Sequence, residues 1–172
     1  RLRWIDRSLA EVNSRRTALG TDGRLAIGGV IPYAGRPHRI VAGTVATIAA
    51  LDGEIRVPAA IAADPEAVRR AARDVAEQMI GVYAVEMRVN PTRLRIGDQS
   101  TRWGSASGDG TISLSWRLVL APPSCFEAVV VHELAHLRAN GHGARFRAVV
   151  ERHLPDEAAR MRQLQRLAPA LG

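Results

Sequence analysis

The sequence predicts an α+β fold in which a small antiparallel β-rich region precedes a larger domain of helices and a β-hairpin. Three observations support this prediction. The first sixty or so residues contain short apolar runs separated by glycine and proline, as in strands joined by turns. Residues 65–87 repeat apolar side chains at helical spacing, and residues 101–116 alternate apolar and small polar side chains around an Asp-Gly turn. We therefore divide the chain into residues 1–63 and residues 64–172.

Short strands are expected in the N-terminal region, where Ile40-Val41 and residues 55–57 are the clearest apolar runs. Turn-forming residues at 34–37 and at Asp52-Gly53 separate these runs. Residues 2–19 fit a helix only loosely, so their structure is left open.

A long helix is expected to begin at Asp64-Pro65-Glu66, because aspartate can cap a first turn and proline is favoured within it. Gly81 is a point where this helix could break, and Asn90-Pro91 should end it near Met87. Apolar residues recur along it at helical spacing: Val68, Ala72, Val75, Met79 and Val82.

The second half of the larger domain alternates a hairpin with helices. A strand at residues 94–96 precedes the hairpin, whose turn is Gly108-Asp109-Gly110. Pro122-Pro123-Ser124 then opens a helix that Asn140-Gly141 ends, because both of these residues tolerate a left-handed backbone. Two further helices are expected, from about Ala144 and from Pro155-Asp156.

The segment HELAH, residues 132–136, lies within the helix that ends at Asn140-Gly141. Its two histidines are four residues apart, so both imidazoles project from one face and can reach a single metal ion. This is the H-E-x-x-H arrangement of zinc hydrolases, in which the intervening Glu133 is the general base for a metal-activated water. Catalytic zinc typically has three protein ligands and one open position. The sequence therefore predicts one zinc ion on three histidines: His132, His136 and His142.

Other interpretations of these residues are open at this stage. The histidine pair could be structural and hydrogen-bonded to backbone, and Glu133 could be an ordinary acid on a helix surface. If His142 lies on the surface, Glu151 or Glu157 is the substitute third ligand. Manganese, cobalt or nickel could occupy the same imidazoles in place of zinc.

With these residues identified, residues 92–156 resemble the YgjP-like metallopeptidase family of zincin-type hydrolases. The resemblance is carried by three segments, TRWGSASGDGTISLSWRLVLAPP, VVVHELAHLRANGHGARF and LPD. It implies a zincin-like catalytic core of helices and a hairpin, with zinc on the three histidines and Glu133 catalytic. It also implies a β-rich region before that core. The function expected from it is that of a zinc metallopeptidase or a related metal-dependent hydrolase, acting on a peptide or protein.

The hairpin has a functional and a structural interpretation. Its strand edge could lie beside the metal and bind an extended peptide as an added strand, with Arg102 or Ser105 contacting the substrate. Arg102 could instead be a structural ion-pair partner. Trp103 and Trp116 are interpreted as core aromatics, because large aromatic side chains dominate protein interiors.

The chain carries a net charge of +7, and its 24 basic residues are all arginine. These arginines are scattered, so a solvated basic surface is preferred over a nucleic-acid site. Three alternative functions remain. They are a SprT-like protease acting on DNA-bound proteins, a hydrolase of a small phosphorylated substrate, and a binding module with a purely structural metal. Segment 142–146 resembles the third-ligand region of SprT-like proteins.

The expected setting is cytoplasmic and reducing. A single cysteine, Cys125, excludes an internal disulfide and a cysteine-built zinc ribbon. No apolar run reaches the roughly 18 residues needed to span a bilayer, and no secretory signal pattern is present, so no membrane partner is expected.

Overall fold

The computed structural model describes residues 28, 30–33, 36–43, 49–51, 53–58, 65–99 and 102–171. The chain divides into two units. The first comprises residues 1–68 and 165–172, and the second comprises residues 69–164. Residues 2–19, the expected cap at Asp64 and the predicted boundary at residue 63 lie outside the described residues. Within the described ranges, no helix combines the length and apolarity needed to cross a bilayer.

The first unit contains a four-stranded sheet of order β1-β2-β4-β3. Its strands are β1 (Val30–Tyr33), β2 (Arg36–Gly43), β3 (Ala49–Leu51) and β4 (Glu54–Pro58). The pairs β1–β2 and β3–β4 are antiparallel, and Ile40 and Val57 are buried.

The prediction of a small antiparallel N-terminal sheet is wrong for the central pair, because β2 and β4 run parallel. The chain reaches β4 only after β3 and the turn at Gly53, whose φ of +75° is left-handed. Two reversals of direction therefore bring β4 alongside β2 in the same sense. Apolar runs and turns indicate that strands exist, but they do not encode which strands become neighbours.

The rest of the fold combines four α-helices with a second small sheet among the described residues, which confirms the predicted mixture of helix and strand. The elements are α1 (Pro65–Met87), β5 (Arg93–Gly97), β6 (Gly104–Ala106), β7 (Thr111–Ser115), a 3-10 helix (Trp116–Leu120), α2 (Pro123–His136), α3 (Ala144–His153) and α4 (Glu157–Leu171). Helix α1 continues through Gly81 without a break. Val82, expected on its apolar face, is 56% exposed.

The predicted hairpin is confirmed as the antiparallel pair β6–β7, joined by a turn in which Gly110 has a φ of +86°. Asp109 holds this turn together, because its carboxylate accepts hydrogen bonds from Ser107 and from the backbone and hydroxyl of Thr111. These bonds lower the pKa of Asp109 to about 2. The sheet order is β5-β7-β6, so β7 is central and β6 is an edge strand.

Helix α2 is the core element of the second unit, and its apolar composition on every side explains why. It contacts β6, the 3-10 helix and α3. Its buried side chains include Phe126, Val129, Val130, Val131 and Leu134. Glu133 is a carboxylate within this otherwise apolar set, so its burial costs free energy unless neighbouring groups pair with it or hydrogen-bond to it.

A polar network connects three of the helices within the second unit. Tyr83 on α1 donates a hydrogen bond of 2.7 Å to Glu127 on α2, and Arg160 on α4 pairs with the same carboxylate. Arg160 also donates to Asp156 at 2.8 Å. The network fixes the start of α4 against α2, which matters because Glu157 lies in that first turn.

Helix α1 ends in a Schellman motif. The N–H of Arg88 donates to the carbonyl of Val85 at 3.1 Å, and the N–H of Val89 donates to that of Ala84 at 3.0 Å. Arg88 has a φ of +53°, at the position where glycine is usual. A side chain in this left-handed conformation costs about 1 kcal/mol.

We expect Arg88→Gly to raise the free energy of unfolding by up to about 1 kcal/mol, because glycine removes the Cβ that strains the left-handed backbone. The gain is reduced by the greater freedom of glycine in the unfolded chain. Urea unfolding measures it, with Arg95→Gly in β5 as a control that should destabilise. Equal destabilisation by both variants would contradict the prediction.

Candidate active site

The three histidines of the predicted zinc site converge in the structure. Their ring centroids are 4.8 to 5.1 Å apart, and their candidate ligand atoms all lie within 4.8 Å of one another. The Nε2 atoms of His132 and His142 are 3.0 Å apart. Tetrahedral zinc with bonds of 2.0–2.1 Å places its nitrogen ligands roughly 3.3 Å apart. The donor chemistry and spacing therefore fit a single metal ion.

Local structure explains this convergence. His132 and His136 belong to the last turns of α2, and Gly141, with a φ of +70°, turns the chain so that His142 returns to them. Phe146, on the first turn of α3, is buried. The centroid of its ring lies 4.5 to 4.9 Å from the centroid of each imidazole. Burial and the two neighbouring imidazoles lower the pKa of His136, which favours the neutral form that ligates metals.

Glu157 holds His132 from the side facing away from the cluster. Its Oε1 lies 2.8 Å from His132 Nδ1, whereas Nε2 of the same ring faces His142. Both side chains are less than one-fifth exposed. A carboxylate on the distal nitrogen fixes the tautomer and orientation of a metal-binding imidazole. Glu157, considered as a substitute third ligand, therefore contacts a histidine instead, and Glu151 is exposed on α3.

Glu133 is 6% exposed and lies directly against strand β6. A Cβ built on Gly104 would stand 2.7 Å from Glu133 Oε1, so this close approach requires glycine. Burial raises the pKa of Glu133 to about 7, against the lowering effects of His132, Arg102 and a backbone hydrogen bond from Ala106. A carboxylate in this position can exchange a proton near neutral pH.

These groups open onto a cleft of about 1040 Å³. Its walls include the three histidines, Glu133, the edge strand β6, the hairpin turn and the end of α1. Ser105 is half-buried in this wall. Arg102 is exposed, and its charge acts on Glu133. Trp116 is buried and donates from Nε1 to Asp98 at 2.8 Å, as expected of a core aromatic, whereas Trp103 is half-buried.

A model of the YgjP-like metallopeptidase domain matches residues 1–167. The chain belongs to the YgjP-like metallopeptidase family. Membership makes it a metal-dependent hydrolase and extends the resemblance carried by residues 92–156 to nearly the whole chain. A search of curated proteins found no match.

Two solved structures also resemble this family member, and both are metallopeptidase zymogens. Pyrococcus abyssi abylysin is 21% identical with a TM-score of 0.46, and the match covers 55% of this chain and 92% of that one. Methanocaldococcus jannaschii jannalysin is 17% identical with a TM-score of 0.45, covering 56% of this chain and 96% of that one.

Proposed function

We propose that the protein is a zinc metallopeptidase in which Glu133 is the general base and three histidines hold one zinc ion: His132, His136 and His142. The observation that carries this proposal is the convergence of three imidazoles beside a buried carboxylate in an open cleft. When bound, zinc supplies the Lewis acidity that activates water at neutral pH and polarises the scissile carbonyl.

The protein's own groups account for proton transfer. Glu133 stands beside the first histidine, where it takes the proton of the attacking water and passes it to the leaving amine. The backbone of Ala106 bonds to this carboxylate, and Gly104 leaves room for it. Glu157 keeps His132 in the tautomer that leaves Nε2 free for the metal.

Strand β6 sets the direction in which the proposed peptide substrate lies in the cleft. It is the edge strand of its sheet and lines the cleft next to Glu133. An extended peptide can therefore add to β6 as a further strand through backbone hydrogen bonds, which bind peptides with little regard to sequence. We expect Ser105, which lines the cleft, and Arg102, whose charge acts on Glu133, to contact that peptide near the scissile bond.

The proposal is tested by elemental analysis of the purified protein, followed by incubation with a mixed peptide library. We expect about one zinc per chain and cleavage that a chelator abolishes and added zinc restores. His136→Ala should lose both zinc and cleavage, because two imidazoles bind the ion far less tightly than three. Undiminished cleavage by a metal-free preparation would refute the proposal.

Glu157→Ala is expected to weaken zinc affinity by about 10- to 100-fold, the usual effect of removing a carboxylate that orients a ligand histidine. Competition with a chromophoric chelator measures the affinity. Glu151→Ala, which removes an exposed carboxylate from the neighbouring helix, is the matched control. If both variants bind zinc as the wild type does, Glu157 has no role in holding the site.

A further inference from the structure

The cleft wall contains three arginines, Arg88, Arg138 and Arg145. Arg138 Nη1 donates a hydrogen bond of 2.8 Å to the carbonyl of Met87, so its guanidinium lies at the end of α1, next to the backbone of Arg88. We call Arg88 and Arg138 the arginine pair. Their guanidinium groups come from the ends of two different helices, so the pair is a product of tertiary packing.

The arginine pair lies at the hairpin-turn end of strand β6. Thr92, four residues after Arg88, is hydrogen-bonded to this turn. Its N–H donates to the carbonyl of Gly110 at 2.9 Å. Its hydroxyl donates to the carbonyl of Asp109 at 2.8 Å. The opposite end of β6 is Gly104, which touches Glu133. Glu133 also accepts a backbone hydrogen bond from Ala106, so the proposed catalytic carboxylate lies along β6 and the arginine pair lies beyond the turn end of the strand.

No ion pair within the described part of the chain neutralises the positive charge of the arginine pair. Asp109, the acidic residue in the adjacent turn, already accepts hydrogen bonds from Ser107 and Thr111. Among the described residues, no carboxylate forms an ion pair with Arg88 or Arg138. Arg88 moreover occupies a left-handed position where glycine is usual, which places its side chain in the cleft wall at a conformational cost.

We propose that the arginine pair selects peptides with an acidic side chain on the N-terminal side of the scissile bond. This inference rests on the proposed peptidase function and names its substrate class. Glu133 contacts β6 at Gly104 and at Ala106, and the hairpin turn follows directly after Ala106. A peptide that pairs antiparallel to β6 enters from the turn, so its N-terminal part passes the two guanidinium groups. A carboxylate there gains two charge-assisted contacts.

Mass spectrometry of cleavage products from a mixed peptide library tests the inference. We expect aspartate and glutamate to be enriched roughly fivefold at one of the few positions before the cut, the size of effect that a partly exposed ion pair gives. Arg88→Gln/Arg138→Gln should remove the enrichment while cleavage of neutral peptides continues. Arg88→Glu should favour lysine or arginine at that position. Arg152→Gln, a charge-matched change on exposed α3 outside the cleft, should leave the enrichment intact.

The failure of this inference and that of the proposed function give different results. Cleavage without acidic enrichment, or equal loss of enrichment in the double variant and in Arg152→Gln, overturns the inference alone. Absence of all cleavage by the zinc-loaded protein overturns the peptidase function. In that case, fluorescein-labelled decapeptides that differ only by glutamate or glutamine are titrated onto the Glu133→Gln protein. Equal affinities for the two peptides overturn the inference, and a glutamate preference lost in the double arginine variant supports it.

Discussion

Replacing Glu133 with glutamine is expected to lower kcat by roughly a thousandfold while zinc stays bound. Glutamine has nearly the same shape, so it fits the space against Gly104 and can still accept the backbone hydrogen bond from Ala106. Its amide cannot accept the proton of an attacking water. The three imidazoles are unchanged, and the metal content should therefore stay at the wild-type level.

This prediction is measured with a peptide that the wild-type protein cleaves, together with elemental analysis of each variant. Glu151→Gln on the exposed face of α3 is the matched control and should retain wild-type kcat. Wild-type turnover by zinc-loaded Glu133→Gln would show that another group is the base. Loss of zinc from the variant would show that Glu133 helps to hold the metal, contrary to the proposed role.

Replacing Gly104 with alanine should lower kcat by about a hundredfold, the cost of displacing a catalytic group by about 1 Å. The added methyl would stand 2.7 Å from Oε1 and 2.8 Å from Cγ of Glu133, so the carboxylate must move. Glu133 is buried and has little room for an equivalent position. Zinc content should be preserved, because the three atoms nearest to this methyl all belong to Glu133 and none to a histidine.

The control for this variant is Gly81→Ala on α1, where an added Cβ meets no atom within 4 Å. Gly81→Ala should keep full activity and gain about 1 kcal/mol of stability from the better helix propensity of alanine. Thermal unfolding of both variants shows whether a lower kcat comes from a displaced base or from a destabilised fold. Wild-type kcat in Gly104→Ala would mean that Glu133 tolerates displacement or is not the base.

Local patterns predicted the elements that carry the site. The helix through His132 and His136, the hairpin with its Asp-Gly turn and the left-handed Gly141 all depend on neighbouring residues, and the structure confirms each of them. The convergence of His142 was also predictable, because only a short turn separates it from α2. Local spacing carries such information because helix period and turn chemistry act over a few residues.

Contacts between segments far apart in the sequence could not be predicted from local patterns. Glu157 lies 25 residues from His132, and nothing in its local pattern marks it as the partner of that imidazole. Gly104 and Glu133 lie on different elements, as do Phe146 and the histidine rings of α2. The parallel pairing of β2 with β4 is a further case, since the sequence pattern of a strand does not indicate which strand it pairs with.

The sequence by itself determined which side chains are available for the proposed chemistry: three histidines and one glutamate on a helix and the turn after it. Tertiary structure alone decided what surrounds them, namely the glycine against Glu133, the carboxylate behind His132 and the arginines at the end of the cleft. The physical reason is that periodicity and turn propensity fix one element at a time. Burial, electrostatic environment and cleft shape arise only when separate elements pack together.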